Sequence, residues 1–345
     1  IWAFRVEENV RGGIADGYWN VKAYTYHSER GIPGAIVNNV WRRGERQWDH
    51  NTFGQAVFQK SFGDKFSTKA LAKYAYYVTR YVNNDETQIH VDNTYRQQEM
   101  YFSTSNVYEI LSKWSVSMSY DFKWNKLNAN MVDFAFPHRY SNFVSLATAL
   151  TLSRIQAQAS LVEQVVKDHV KYGASSSSRS TLTPAFFVNV YPFESKLLAV
   201  KAFAKKSFRM PTFNDLYYTT TGSKSLAPED ATQLDLGLDW SIPATGLTIK
   251  ADIYHNSLKD KIIAVPTSNQ FRWSMYNIGK VRILGADVSA AYEKTFGRIL
   301  LGCRGRDTYQ KATDLSDREA VTYKGQIPYI PLHSGSGNIF MEILG

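Results

Sequence analysis

From Trp114 to Asn125 the side chains alternate without a break. Trp114, Val116, Met118, Tyr120, Phe122 and Trp124 fall on one face of an extended chain, and Ser115, Ser117, Ser119, Asp121, Lys123 and Asn125 on the other. Successive side chains of a strand point to opposite faces, so the segment has one apolar and one polar side. It is long enough to cross a bilayer as a tilted strand, and indoles stand at both ends of its apolar face, where membrane interfaces collect aromatic rings. A strand over a soluble core could alternate in this way but has no need of the indoles. The segment predicts an all-β chain, a transmembrane antiparallel β-barrel.

Composition agrees. No apolar run approaches the roughly 18 to 20 residues that a membrane helix needs, and the mean hydropathy is negative. A barrel escapes such scans because every second residue faces its lumen, and 22 Tyr, 19 Phe and 8 Trp are enough for two aromatic girdles. A soluble chain of 345 residues would be expected to form about two domains, yet no linker divides this one. Cys303 is the single cysteine, which excludes an intrachain disulfide and a cysteine metal cluster. The net charge of +9 comes from Lys and Arg scattered along the chain with no dense tract, so no nucleic-acid partner is expected. Lumen and loop charges that meet an anionic ligand or lipopolysaccharide account for the balance.

The two-residue period recurs. Leu234, Leu236, Leu238 and Trp240 alternate with Gln233, Asp235, Gly237 and Asp239, and Leu247, Ile249, Ala251 and Ile253 with Thr248, Lys250, Asp252 and Tyr254. Strands are predicted near 17–27, 51–62, 67–82, 97–108, 114–124, 142–152, 155–165, 182–191, 196–205, 231–240, 247–257, 282–293, 298–309 and 332–342, with a fifteenth in the first nine residues. Short connections such as Gly63 to Phe66 and Lys294 to Gly297 alternate with long polar ones near 28–50, 83–96, 125–141, 166–181, 206–230, 258–281 and 310–331. Tight periplasmic turns and long extracellular loops give a barrel that rhythm. The first residues carry no signal peptide and the last, Ile339 to Gly345, no terminal aromatic, so a mature chain or a fragment is expected.

No catalytic constellation is present: neither G-x-S-x-G nor H-E-x-x-H nor a P-loop occurs, and the seven His are dispersed. The chain is read as no enzyme, with no catalytic residue, no metal site and no covalently bound cofactor. Its most specific stretch is Ser207-Phe208-Arg209-Met210-Pro211-Thr212-Phe213-Asn214-Asp215-Leu216-Tyr217-Tyr218, followed by Gly222 and by Leu226-Ala227-Pro228-Glu229. On the residues alone this is a proline-stopped strand and a loop. It resembles the barrel motif of TonB-dependent outer-membrane receptors, F-R-x-P-[TS]-[FI]-x-[DE]-L-Y followed by G-N-x-x-L-x-P-E, with Ser223 where the family commonly has Asn. Ala251-Asp252-Ile253-Tyr254-His255-Asn256 with Asp260-Lys261-Ile262, then Tyr276-Asn277-Ile278-Gly279 with Gly285, and Gln326 to Pro331 resemble further family segments. Arg30-Gly31-Ile32-Pro33-Gly34-Ala35 is similar to an R-G-L-P-G-A loop of cobalamin-receptor-like members.

The resemblance implies a plugged barrel of about 22 strands, of which residues 1–345 would be the barrel domain without its plug and terminal strands. It implies outer-membrane import of a scarce nutrient (cobalamin, or else a ferric siderophore or haem) driven by the TonB-ExbB-ExbD complex, with a surface lipoprotein and lipopolysaccharide or other outer-membrane lipid as further partners. A passive porin and a structural or adhesin barrel are the alternatives. Aromatic and basic residues in the predicted outer loops are the candidate ligand contacts: Trp41, Arg42, Arg43, Trp48, Arg139, Phe271, Arg272 and Trp273. Their competing reading is girdle and lipopolysaccharide contact.

Overall fold

The computed structural model describes residues 1–32, 44–84, 90–217, 222–266, 273–327 and 330–343, without the side chains of Pro266, Trp273 and Ile278. It forms one antiparallel sheet in which every strand pairs with its neighbours in sequence. The strands are β1 (Trp2–Ile14), β2 (Gly17–Ile32), β3 (Glu45–Phe62), β4 (Phe66–Asn83), β5 (Val91–Leu111), β6 (Trp114–Ala129), β7 (His138–Thr151) and β8 (Ile155–His169). They continue with β9 (Arg179–Val190), β10 (Leu198–Arg209), β11 (Glu229–Ile242), β12 (Leu247–Pro266), β13 (Trp273–Phe296), β14 (Ile299–Asp314) and β15 (His333–Ile343). One short helix, α1 (Phe213–Tyr217), interrupts the β10–β11 connection. Strands β1 and β15 are the two edges of the described sheet.

Every predicted strand is present, and β1 supplies the fifteenth. Tight turns lie at one end of the sheet, with left-handed residues such as Gly63, Gly246 and Gly297. At Gly246 a Cβ would stand 2.0 Å from the Glu293 carbonyl oxygen, so this turn closes only on a glycine. The described β6–β7, β8–β9 and β14–β15 connections leave from the other end.

Register carries the alternation of β6 across the sheet. Asp121 and Lys123 pair with Ser103 and Tyr101 of β5, and those with Leu71 and Lys73 of β4. On this inward face Glu99 takes Lys73 at 3.1 Å, Lys123 at 2.9 Å and the Asn125 amide at 3.1 Å, and Lys201 pairs with Asp239 at 3.0 Å. The opposite face leaves large apolar side chains open: Met118 is 51%, Leu236 50% and Ile253 58% exposed. Among the described residues no second layer covers them, which excludes a sandwich whose apolar faces meet. Hydrocarbon is the solvent such a face requires.

Candidate functional site at the long-loop end

The buried apolar cluster of the described residues lies at the mouth of the sheet rather than at its middle. Leu127 and Ala129 of β6, Phe134 and Ala135 of the β6–β7 connection, Phe213, Leu216 and Tyr217 of α1, Leu226, and Ile262 of β12 form it. Leu127 and Ala129 share the parity of Asp121 and Lys123 and so face inward. The cluster therefore draws connections from β6–β7, β10–β11 and the outer part of β12 over the lumen side.

Polar contacts lock it. Arg139 donates to both oxygens of Asp168, at 2.6 and 2.8 Å, and to the Pro211 carbonyl at 2.7 Å, while its guanidinium lies 5.0 Å from the Phe213 ring centre. The Asp168 side chain is wholly buried and also accepts the Ser176 hydroxyl at 3.0 Å and the Tyr217 hydroxyl at 3.2 Å. One carboxylate thus ties β7, the β8–β9 connection and α1 together. Burial, and then the Asp168 carboxylate beside it, raises the Tyr217 hydroxyl above its ordinary pKa.

The segment that resembles the receptor motif is the core of this construction. Thr212 and Asp215 cap α1 reciprocally: the Thr212 hydroxyl accepts the Asp215 N–H at 3.2 Å, and the Asp215 carboxylate accepts the Thr212 N–H at 2.8 Å. Arg209 makes a two-pronged pair with Glu229 at 3.0 and 2.9 Å, and Glu229 also accepts the Ile262 N–H at 2.8 Å. Pro211 and Pro228 are buried, whereas Phe208, beside Arg209 on β10, points to the outward face. Ser223 donates its N–H to the Asp215 carbonyl at 2.8 Å. Asn277 of β13 holds both backbone groups of Ala227 and the Asp260 carbonyl. The motif therefore anchors loops; it does not form a free binding surface. Gly222 follows residues 218–221, which lie outside the described set.

Among the candidate contacts, Arg139 has its donors satisfied within the chain and acts as a pin of the mouth. Trp48 lies on the outward face of β3, 5.5 Å from the Arg80 guanidinium, where the girdle reading puts it. Trp41, Arg42, Arg43, Phe271 and Arg272 lie outside the described residues, as does the Trp273 side chain.

A cavity of about 420 Å³ opens beside the cluster, lined by Asp133, Phe134, Phe136, Tyr172, Gly173 and Lys224. Phe136 and Tyr172 meet edge to face at 5.9 Å, and the Lys171 ammonium lies 5.8 and 5.0 Å from their ring centres. Asp133 and Phe136 hold left-handed backbone, which turns the short connection back on itself. Two lysines against one carboxylate leave the rim cationic, and the rings offer flat contact area. These residues were not among the sequence candidates, although the same rule of aromatic and basic residues in outer loops selects Lys171, Tyr172 and Lys224.

An inward polar face, an outward apolar face and a knit mouth over the lumen define the wall of an outer-membrane β-barrel. The chain belongs to the family described as TonB dependent receptor-like, beta-barrel, whose model matches residues 7–342. Proteins of this family are outer-membrane receptors and transporters of Gram-negative bacteria rather than enzymes, and the chain shares that location. A vitamin B12 transporter BtuB of Vibrio vulnificus (strain YJ016) is 30% identical over 107 residues, covering 31% of this chain and 17% of that protein. The copper transporter OprC superposes with a TM-score of 0.78 at 16% identity, over 98% of this chain and 56% of that one. The ferric citrate transporter FecA in its unliganded form gives 0.71 at 12%, over 97% and 55%. These structures share the fold, and the chain spans little more than half of their length.

Proposed function

We propose that the protein containing this barrel wall binds a scarce nutrient at its extracellular mouth and imports it with energy relayed by the TonB-ExbB-ExbD complex. The observation that carries this reading is the family match along nearly the whole chain. The loop-anchoring motif supports it, because a mouth held open by fixed contacts suits capture of a large ligand. Cobalamin is the ligand of first choice, on the strength of the segment shared with BtuB and of the Arg30-Gly31-Ile32-Pro33 sequence. A ferric siderophore or haem is the second. All three present carboxylate, phosphate or catecholate oxygens together with flat or apolar surface, which the Lys171, Tyr172 and Lys224 rim complements. A surface lipoprotein and outer-membrane lipid complete the proposed partners.

The test uses the full-length protein in cells. Labelled cobalamin, ferric siderophore and haem are offered in competition, with and without collapse of the inner-membrane proton gradient. One ligand is expected to bind in both conditions and to accumulate only when the gradient is intact. Replacing Tyr172 and Lys224 by Ala is expected to weaken its binding about tenfold or more, the loss of one aromatic and one charged contact. Uptake indifferent to the gradient, or open conductance from the intact purified protein, would replace this reading with a passive porin.

A further inference from the structure

We propose that the outward face of β5–β8, at the edge of the apolar belt nearest the long loops, is a seat for one phosphorylated glycolipid of the outer leaflet. This rests on the outer-membrane placement of the barrel and not on which nutrient it carries.

Lys126, His138 and His169 stand in one row of register partners across β6, β7 and β8. Their parity is that of Trp124, so they face outward. Arg96 of β5 and Lys167 of β8 share that face, two residues to either side of the row along the strands. Aromatic rings flank the two histidines: Trp124 lies 6.1 Å from His138, and Tyr140 6.0 Å from His169. Among the described residues no carboxylate comes within ion-pair distance of Arg96, Lys126 or Lys167. The same face of β2–β5 behaves differently, since Arg46 is paired with Glu29 and Arg80 with Asp92. Cations left uncompensated in one place at a membrane interface, beside others that are neutralised, offer a site for an anion from outside the chain.

Toward the turns the same face carries a groove of about 600 Å³. Gly54, Ala56 and Ala72 floor it because their side chains are small, and Met100, Phe102 and Phe122 wall the side nearer the cations. Arg96 is four residues from Met100 along β5, and Lys126 four from Phe122 along β6. Four residues of strand span about 13 Å, so an acyl chain in the groove places its headgroup beside the cations. The order is right for the outer leaflet, with the apolar part toward the periplasmic turns and the charge toward the extracellular loops. A phosphate monoester suits the cluster, since Arg offers a planar fork and Lys a mobile point charge.

The full-length protein in mild detergent, stripped of bound lipid, is titrated with bis-phosphorylated hexa-acyl lipid A and with its dephosphorylated counterpart, and bound lipid is counted by native mass spectrometry. The intact lipid is expected to bind about tenfold or more tightly than the dephosphorylated one. That preference is expected to vanish in Arg96→Gln/Lys126→Gln and to persist in Arg46→Gln/Arg80→Gln. Gly54→Leu, which fills the groove, is expected to weaken both lipids and gives a readout even if the charge variant fails to fold. Equal binding of the two lipids, an equal loss in both double variants, or release of lipid by equimolar inorganic phosphate would overturn the proposal. No nutrient enters the experiment, so its failure is separable from failure of the import reading.

Discussion

Asp168 is the residue on which the mouth depends most. It is wholly buried and holds Arg139, Ser176 and Tyr217 at once. Removing one partner of a buried ion pair leaves the other charge uncompensated, at a cost of about 3–5 kcal/mol. In Asp168→Ala that cost falls on the loops, because the strands below keep their ladders. The amides of Leu216 and Lys171, which donate to Thr212 and Ala135, are expected to exchange with deuterium at least about a hundredfold faster, while those of β11 keep their protection. Unchanged exchange at Leu216 would show that the pair does not hold the mouth. Tyr217 adds a pH dependence with a definite sign. Its hydroxyl pKa is raised in the folded loop, first by burial and then by Asp168, so it binds its proton more tightly there than when the loop is open. Its stabilising contribution is complete below the ordinary tyrosine range and is lost as pH rises through the raised value. Exchange at Leu216 is therefore expected to accelerate in alkali beyond the intrinsic base catalysis measured on an unprotected amide. Tyr217→Phe, with no proton to lose, is expected to remove that excess.

At the scale of a strand, the two faces answer to different solvents. Leu236 stands in the middle of the outward run Leu234, Leu236, Leu238 and Trp240 on β11, and Gln233 and Asp235 point inward. Leu236→Arg is expected to destabilise the barrel by about 2–4 kcal/mol when it folds into lipid vesicles, whereas Gln233→Arg should cost well under 1 kcal/mol. Equal costs would mean that the faces are wrongly assigned. The same distinction explains which parts of the fold the sequence displays. Alternation is written by hydrocarbon on one side and water on the other, so every membrane-crossing stretch could be found. Beyond the belt both faces are wet and the pattern stops, but the ladder does not. Thus β12 runs on to Pro266 and β13 begins at Trp273, where alternation predicts 257 and 282. Their outer arms are held by pairs such as Lys259 with Lys280 and by the Asn277 side chain. The site was less legible for a related reason. Arg139 has the composition of a ligand contact, and the carboxylate that satisfies it lies 29 residues away, on the next strand. The receptor-like motif was plain in the sequence, but its work as an anchor depends on Glu229, Ile262 and Asn277 meeting in space.

For the whole molecule the decisive question is which solvent each face meets, and Cys303 can report it. It lies on the outward face of β14 between Leu301 and Gly305, opposite Ile339 of β15. It is exposed, and in a soluble protein an exposed thiol reacts readily with any maleimide. In a barrel its exposure is to lipid tails, where a charged reagent does not enter. In intact outer membranes Cys303 is therefore expected to resist a sulfonated maleimide and to react fully once the protein is unfolded in denaturant. Val321 lies in the β14–β15 connection and is fully exposed. In a Cys303→Ser background, Val321→Cys is expected to label in intact membranes at close to the unfolded rate when applied from the extracellular side. The contrast depends on the fold as a whole, because parity at residue 303 is inherited through register from Trp114 on the far side of eight strand pairings. Labelling of Cys303 in intact membranes as fast as Val321→Cys would place β14 in water and break the chain of registers that makes one face of this sheet the lining of a lumen.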